Sequence, residues 1–343
     1  MNQDHKILDA LAESDKPSVL ATIIHVEGSA YRKEGTSVLI TESGERVGML
    51  SGGCLEEDVQ ERVPSILANG RSQTVVYDMR EEDDLSWGKG AGCNGVIHIL
   101  FEPVLDELRE HLRKVRENVL NGIDVTSVKK LDKERTATEY LFIPRMGTTA
   151  FGFWKEYFPI EPDAWQSGGS GIRFSTELSA EIFVHTFRPK PRLLIIGAGE
   201  DARPLVAIAS LAGFSVTISD SRPASCNPIK FPEADSFWVG TPEEIIAGHP
   251  LLSTDSVMVM THQFARDRLW LQWLMQQDLK YLGILGPRHR TLRLLNGLEP
   301  PTEVHSPAGV PIGAQGPDEI AISIVAELIR AQRLPPSRKA DIS

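Results

Sequence analysis

Hydrophobic positions in the second half of the chain switch repeatedly between two spacings. Short apolar runs typical of buried strands occur at residues 192–196, 214–220, 235–239, 255–260 and 280–285. Apolar residues three or four positions apart, which predict amphipathic helices, occur at residues 203–212, 242–247 and 264–277. Strands that alternate with helices are typical of a parallel sheet with helices on both faces, so this half predicts a Rossmann-like, doubly wound α/β fold.

The first half combines helical and strand patterns with more turns. Helices are predicted at residues 5–14, 54–69 and 104–121, and strands at 18–27, 36–41, 46–50, 72–79 and 96–102. These elements indicate a mixed α/β domain over residues 1–121. Residues 122–188 contain only short strand candidates, at 140–143 and 180–187, so we predict a connecting region there. Pro189 and Pro191 favour a linker into a C-terminal domain over residues 189–343.

The turn after residue 196 carries a nucleotide-binding pattern. Gly197 can adopt a backbone angle closed to other residues, Gly199 lets the main chain approach a phosphate, and Ala202 permits close packing of helix on strand. Asp220 ends the next strand, where a dinucleotide-binding fold places the acid that accepts a ribose hydroxyl. This context predicts an anion site at the helix start, although a scaffold that binds nothing can keep the same turn for packing.

Further polar residues follow the strands of the same predicted sheet. His262 comes after the fourth strand and Arg288 after the fifth, at the edge where open α/β sheets bind their ligands. Arg288 suits a phosphate, and a solvated surface arginine is an equally good interpretation. Asp220 favours the free ribose hydroxyl of NAD, whereas Arg222 could meet the extra phosphate of NADP. The sequence does not choose between the two dinucleotides.

A second transition from strand through glycines to helix lies at residues 46–59. Gly52 and Gly53 precede Cys54 at the predicted helix start, where the dipole favours a thiolate, which is both a nucleophile and a soft metal ligand. Cys93 lies in a glycine-rich loop whose backbone can approach a bulky ligand. The alternatives are a small buried residue at position 54 and a surface-loop residue at position 93. We take both as candidate catalytic thiols and Cys54 as the candidate metal ligand.

Composition narrows the classes of protein. The 343 residues suggest two domains, at about 150 residues per domain. A net charge of -11 with dispersed charges argues against nucleic acid as a partner. Three cysteines are too few for a disulfide framework or a four-thiolate zinc site. We find neither a signal peptide nor an apolar run of about 18 residues, which predicts a cytoplasmic protein without stable membrane insertion.

These motifs together resemble the XdhC/CoxI family of xanthine dehydrogenase accessory proteins. In the first half the matching positions are Gly28, Ser29, Arg32, Gly35, residues 51–59, Gly92, Cys93, Gly95 and Glu102. In the second half they are residues 197–199, 220–222, 260–262, 281–286 and 312–314, with Glu319 and Glu327 in the last predicted helix. One departure is Glu200, where the family commonly has histidine. An anionic Glu200 beside a phosphate is unfavourable, so either this side chain points away or the ligand differs.

The resemblance implies a maturation factor rather than a turnover enzyme. Members of the family bind molybdenum cofactor (molybdopterin), favour its sulfurated form and pass it to an apo molybdenum hydroxylase such as xanthine dehydrogenase. A cysteine desulfurase as sulfur donor and a homodimer are also expected from the resemblance. Cys54, with Cys93, could then hold molybdenum or relay sulfur, while the Rossmann-like half receives a phosphate.

Two other classes of function remain open from the sequence. One is an oxidoreductase that uses NAD(P), although we find no convincing proton donor beyond His262. The other is a structural adaptor, for which a bulky residue at Gly199 would leave maturation intact. The accessory-factor interpretation further predicts that Cys54 and the Gly197 turn open onto a common cavity, within one chain or between two copies.

Overall fold

The computed structural model describes residues 2–53, 55–80, 94–145, 149–155, 169–298, 300–301 and 304–334. These residues belong to two compact units, Met1–Pro189 and Lys190–Ser343. No helix in the described part of the chain is long and apolar enough to span a membrane.

The first sheet of the N-terminal unit is antiparallel, with the strand order β3-β2-β1-β5-β4. Its strands are β1 (Ser18–Ser29), β2 (Ser37–Thr41), β3 (Arg46–Gly48), β4 (Gln73–Asp78) and β5 (Asn94–Pro103). The helices of this unit are α1 (Asn2–Glu13), α2 (Glu56–Asn69) and α3 (Asp106–Leu120). Strand β1 begins with seven buried residues, most of them apolar, because both of its faces are covered. Val19 and Ile23 join the core that contains α2, whereas Leu20 joins the core that contains α1 and α3.

A second antiparallel sheet of the same unit has the strand order β8-β7-β6-β10-β9. Its strands are β6 (Val125–Leu131), β7 (Ala137–Pro144), β8 (Phe151–Phe153), β9 (Gly171–Ser175) and β10 (Ala180–Phe187). Strands β7 and β10 correspond to the two short strand candidates of the sequence. Strand β6 was not predicted because its lysines interrupt the apolar pattern. Lys129 is nevertheless buried, where its ammonium group pairs with the equally buried carboxylate of Glu102.

The C-terminal unit contains a parallel sheet with the strand order β13-β12-β11-β14-β15-β16. Its strands are β11 (Arg192–Ile196), β12 (Ser215–Asp220), β13 (Ser236–Val239), β14 (Ser256–Val259), β15 (Tyr281–Ile284) and β16 (Val304–His305). The helices are α4 (Ala202–Leu211), α5 (Pro242–Gly248), α6 (Phe264–Leu274), α7 (Arg288–Leu294) and α8 (Gly316–Arg333). Alternate residues of β11 point to opposite faces, where two separate cores cover the sheet. The doubly wound, Rossmann-like α/β fold predicted for this half is therefore confirmed, and the N-terminal unit is mixed α/β as predicted.

A buried carboxylate of α8, Glu327, binds side chains of β15 and of the edge strand β16. Glu327 accepts hydrogen bonds from the Tyr281 hydroxyl at 2.9 Å and the Gly309 N–H at 2.8 Å. Its other oxygen lies 3.0 Å from His305 Nδ1 and 3.2 Å from Arg330 Nη2. Burial alone would raise the pKa of Glu327, but these partners, His305 first, outweigh burial and lower it. The helix is thus held by a carboxylate that is charged in the folded protein.

Candidate functional site

The carboxyl ends of the parallel strands bring the predicted residues of the C-terminal unit to one edge of the sheet. Gly197 follows β11 with φ of 120°, and a Cβ atom there would lie 2.6 Å from the Met260 carbonyl oxygen. The Gly197 N–H donates to the Ser219 carbonyl at 2.8 Å. Only glycine allows the turn to adopt this conformation and to pass so close to the end of β14. The strand order changes direction between β11 and β14, which is where such sheets form their ligand crevice.

Asp220, the predicted ribose acceptor, is held by groups of its own chain. One oxygen accepts from the Ala198 N–H at 2.9 Å and from Arg222 Nη2 at 2.8 Å, and the other accepts from the Arg222 N–H and Nε at 3.0 and 2.9 Å. Its side chain is only 5% exposed. Burial would raise the pKa of Asp220, but the Arg222 guanidinium and the backbone N–H groups lower it. A ribose hydroxyl would have to displace Arg222, because a carboxylate offers about four acceptor positions.

Acidic side chains surround the start of α4, where the sequence predicts a phosphate. Glu200 points outward, 72% exposed, and pairs with Arg203 at 3.2 Å and Lys230 at 3.5 Å. Asp201 pairs with His262 Nε2 at 2.7 Å, and His262 adopts the left-handed conformation with φ of 58°. Each acid at this helix start therefore has a basic partner within the unit. An incoming phosphate would compete with these carboxylates for the same basic side chains.

A buried acid that the sequence analysis missed organises the neighbouring strand end. Asp267 in α6 is fully buried, accepts from the Thr261 hydroxyl and pairs with Arg290 Nη2. Its position in the first turn of a helix gave no signal beyond a favourable dipole contact. Arg290 is thereby committed to the protein. Arg288, the predicted phosphate ligand, is the exposed first residue of α7 and also interacts with another group of the chain.

The crevice between these strand ends is narrow. A pocket lined by Ser219, Asp220, Gly240, Thr261 and Gln263 has a volume of about 20 Å³, enough for about one water molecule. The predicted residues Gly197, Gly199, Asp220, Arg222 and His262 thus lie along one edge of the sheet, and the pocket beside Asp220 is too small for a nucleotide.

The glycine loop of the N-terminal unit is organised by a serine and a glutamate. Glu56, the first residue of α2, accepts from the Ser51 N–H at 2.8 Å, from the Ser51 hydroxyl and from the Leu55 N–H at 3.3 Å. The Ser51 hydroxyl oxygen also accepts from the N–H groups of Gly53 and Leu55 at 3.1 and 3.2 Å. Burial would raise the pKa of Glu56, but the hydrogen bonds from Ser51 outweigh burial and lower it.

This arrangement turns the glycines outward. Gly52 and Gly53 are exposed, and a Cβ atom at either would meet nothing within 4 Å. They line an open cleft of about 400 Å³ together with Arg46, Met49 and Glu56. A bulky ligand can therefore approach the backbone at this loop.

The two candidate thiols, Cys54 and Cys93, lie outside the described residues, so their roles stay predictions. Cys226 is the cysteine that the described residues include. It is buried, its Sγ lies 3.4 Å from the Ile218 carbonyl oxygen, and burial raises the pKa of its thiol to about 11. Such a thiol is inert. Within the described ranges, no group of three or more histidine, cysteine, aspartate or glutamate side chains is arranged to hold a metal ion.

Comparison with protein families matches three segments of the chain. Residues 11–78 match the XdhC and CoxI family, residues 106–188 match the BH1974-like central domain, and residues 193–328 match the XdhC Rossmann domain. The second segment covers much of the second antiparallel sheet, and the third covers the parallel sheet.

Individual relatives match nearly the whole chain. A Bacillus subtilis protein, named as a probable subunit of xanthine dehydrogenase, is 43% identical over 333 residues, which cover 97% of this chain and 98% of that protein. The Escherichia coli molybdenum cofactor insertion chaperone PaoD is 24% identical over 343 residues, covering 96% of this chain and 89% of PaoD. A crystal structure of a Bacillus halodurans protein described as a xanthine dehydrogenase superposes with a TM-score of 0.88 at 43% identity, covering 98% of each chain.

Proposed function

Because this chain belongs to the XdhC and CoxI family, we propose that it is an accessory factor for a molybdenum hydroxylase of the xanthine dehydrogenase type. In this role it binds molybdenum cofactor as cargo and helps to sulfurate the cofactor and insert it into the apoenzyme. The observation that carries the proposal is the extent of the likeness. A relative named for xanthine dehydrogenase and another named for molybdenum cofactor insertion both match at least 96% of the chain.

The cargo site that we propose is the open cleft beside Gly52 and Gly53. The outward glycines admit a bulky ligand to the backbone, and Arg46 on the cleft wall supplies a cation for a phosphate group. Cys54 follows directly in the sequence and supplies a soft thiolate for molybdenum. As a sulfur relay, the Cys54 thiolate would take the terminal sulfur of a persulfide on a cysteine desulfurase, forming a Cys54 persulfide and releasing the donor thiolate.

Binding of NAD(P) has less support from the geometry. Asp220 already accepts four hydrogen bonds, and the crevice beside it holds about one water molecule. We therefore propose that the Rossmann-like unit does not use a nicotinamide dinucleotide. A fluorescence titration with NADH and NADPH would show no saturable change if this is correct.

The cargo hypothesis is tested by adding purified molybdenum cofactor to the wild-type chain and to Cys54→Ser. The expected result is weaker cofactor binding and a lower sulfurated fraction in the client hydroxylase for the variant. Cys226→Ser is the matched control, because Cys226 is buried and its thiol is inert. Equal affinity and equal sulfuration for wild type and Cys54→Ser would reject the role of the thiol.

Partners and assembly extend the same proposal. We propose a cysteine desulfurase as the sulfur donor, a homodimer as the working state and the cytoplasm as the location. Sedimentation of the purified chain at micromolar concentration, with and without the client apoenzyme, tests the dimer and the client complex together.

A further inference from the structure

A second polar cleft lies within the N-terminal unit, apart from the loop of Gly52 and Gly53. It has a volume of about 370 Å³. Its walls come from the start of α1, the loop between β1 and β2, the residues just before β9, and the end of β10. The loop between β1 and β2 contains Arg32 and Gly35, two positions that carry the family resemblance and have no part in the proposed cargo site.

Arginine side chains in this cleft have unused hydrogen-bonding capacity. The Nε atom of Arg32 is buried and has no hydrogen-bond partner within the described chain. Its guanidinium lies 5.3 Å from the centre of the Tyr31 ring, a contact that leaves the N–H groups free. Arg188 also lines the cleft, and neither guanidinium forms an ion pair with a described carboxylate. A buried N–H without an acceptor is costly, so the cleft favours a ligand that supplies one.

The acids of the cleft are already engaged. Glu34 Oε1 accepts from the Val26 N–H at 3.1 Å. Asp4 Oδ2 lies 3.5 Å from His185 Nε2, and both side chains are close to nine-tenths buried. Burial would raise the pKa of Asp4, but its hydrogen bond with His185 outweighs burial and lowers it. The buried donor of Arg32 is thus left for a molecule from outside, and the donors of the exposed Arg188 are open to solvent or to the same ligand.

The floor of the cleft is kept open by Gly35. Ser170 Oγ lies 2.8 Å from His185 Nδ1, directly beneath the glycine. A Cβ atom on Gly35 would lie 2.5 Å from Ser170 Oγ and 2.6 Å from His185 Nδ1, and its φ of 86° favours glycine. Asp4 faces Nε2 of the imidazole, and Nδ1 lies within hydrogen-bond distance of the Ser170 hydroxyl. The hydroxyl and the imidazole therefore form a polar part of the cleft wall, which the two arginines also line.

We propose that this cleft binds a small molecule bearing an oxyanion, phosphate or carboxylate, which Arg32 and Arg188 hold through their guanidinium groups. Planar guanidinium forks match the oxygen pairs of both anions. The volume of about 370 Å³ falls within the usual range of small-molecule pockets, so the ligand is a metabolite rather than a polymer. This site is independent of the proposed accessory function, which uses a different cleft.

The proposal is tested by isothermal titration of the full-length chain with inorganic pyrophosphate in one series and citrate in another. Saturable binding of either probe is expected, and the stronger probe identifies the preferred oxyanion. Arg32→Gln should weaken binding at least about tenfold, because it removes a charge-assisted donor pair. Lys33→Gln is the matched control, since Lys33 is exposed, neighbours Arg32 and does not line the cleft. It should bind within about twofold of wild type.

Two further variants separate this site from the Rossmann-like turn. Arg222→Gln should leave the affinity unchanged, whereas Arg188→Gln should weaken binding like Arg32→Gln. Far-ultraviolet circular dichroism of each variant checks folding. If Arg32→Gln does not fold, binding to Arg188→Gln serves as the test. Absence of saturable binding for both probes overturns the proposal. The proposal is also overturned if Lys33→Gln and Arg32→Gln lose the same amount of affinity for the probe, or if only Arg222→Gln loses affinity. None of these outcomes depends on molybdenum cofactor, so the accessory function can stand or fall separately.

Discussion

Removing the carboxylate of Glu56 should loosen the glycine loop that precedes α2. In Glu56→Ala, the Ser51 N–H loses its acceptor at 2.8 Å, and the Ser51 hydroxyl loses its strongest partner. Ser51 is 2% exposed, so water cannot easily replace the lost acceptor. The Leu55 N–H is less affected, because the Ser51 hydroxyl oxygen also accepts from it at 3.2 Å.

The expected loss of free energy follows from the buried N–H group that the variant leaves without an acceptor. One buried N–H left without an acceptor costs about 1–3 kcal/mol, so we expect local opening of the loop to become easier by about 2 kcal/mol. The variant also loses a favourable contact with the helix dipole, worth about 0.3–1 kcal/mol. Glu57→Ala loses the same dipole contact, but Glu57 is exposed and accepts no hydrogen bond in the described structure. The difference between the two variants therefore isolates the contribution of the Ser51 contacts.

Hydrogen exchange of a peptide covering residues 49–60, followed by mass spectrometry, measures this opening directly. Glu56→Ala should exchange about 40- to 140-fold faster than wild type, because the losses of about 2 kcal/mol and about 0.3–1 kcal/mol add and about 1.4 kcal/mol corresponds to a factor of ten. Glu57→Ala should exchange less than about fivefold faster. If both variants exchange at the same rate, the Ser51 and Glu56 contacts do not hold the loop, and the reasoning about this site is wrong.

Three further predictions concern the C-terminal unit. Asp267→Ala leaves Arg290 without its buried partner and should lower the free energy of unfolding by about 3 kcal/mol in urea titrations; a loss below about 1 kcal/mol would show that the pair is not structural. Gly197→Ala should lower the free energy of unfolding of the unit by at least about 2 kcal/mol, whereas Gly248→Ala, whose Cβ meets open space, should change it by less than about 0.5 kcal/mol. Equal shifts in melting temperature for the two variants would contradict this prediction. The lowered pKa of Glu327 gives stability that is present above about pH 4.3, the unfolded value, and is lost as pH falls through the folded pKa. The unfolding free energy measured against pH should therefore fall in acid for wild type and fall less steeply for Glu327→Gln. Equal slopes in acid for the two proteins would rule this out.

The Rossmann-like half could be predicted from sequence because its signals are local. A short apolar run, a glycine turn, an amphipathic helix and an acid at the end of the next strand lie within about 30 residues, the length of one strand-helix-strand unit. The second antiparallel sheet of the N-terminal unit was harder. Its strands pair across distant parts of the chain, and β6 contains Lys129, whose burial depends on Glu102 in the first sheet. A single sequence does not reveal that a lysine has a buried partner.

The candidate sites show the same limit. The sequence predicted that Asp220 and Arg222 lie at the end of the second strand of the Rossmann-like unit. It did not reveal that Arg222 takes up hydrogen-bonding positions of the Asp220 carboxylate. Similarly, Glu56 was one of several acids at a helix start, and only the structure distinguishes it from Glu57 by its contacts with Ser51. Residue types and spacing predict which groups lie near a site, whereas hydrogen-bond partners decide which of them remain available to a ligand.

The accessory function is tested most directly by loading a cofactor-free molybdenum hydroxylase of the xanthine dehydrogenase type. Limiting molybdenum cofactor is supplied free or bound to the wild-type chain, and the molybdenum content of the reisolated hydroxylase is measured. We predict that the chain increases molybdenum loading, and that Cys54→Ser increases it less while Cys226→Ser behaves as wild type. Equal molybdenum content with and without the chain would contradict the account.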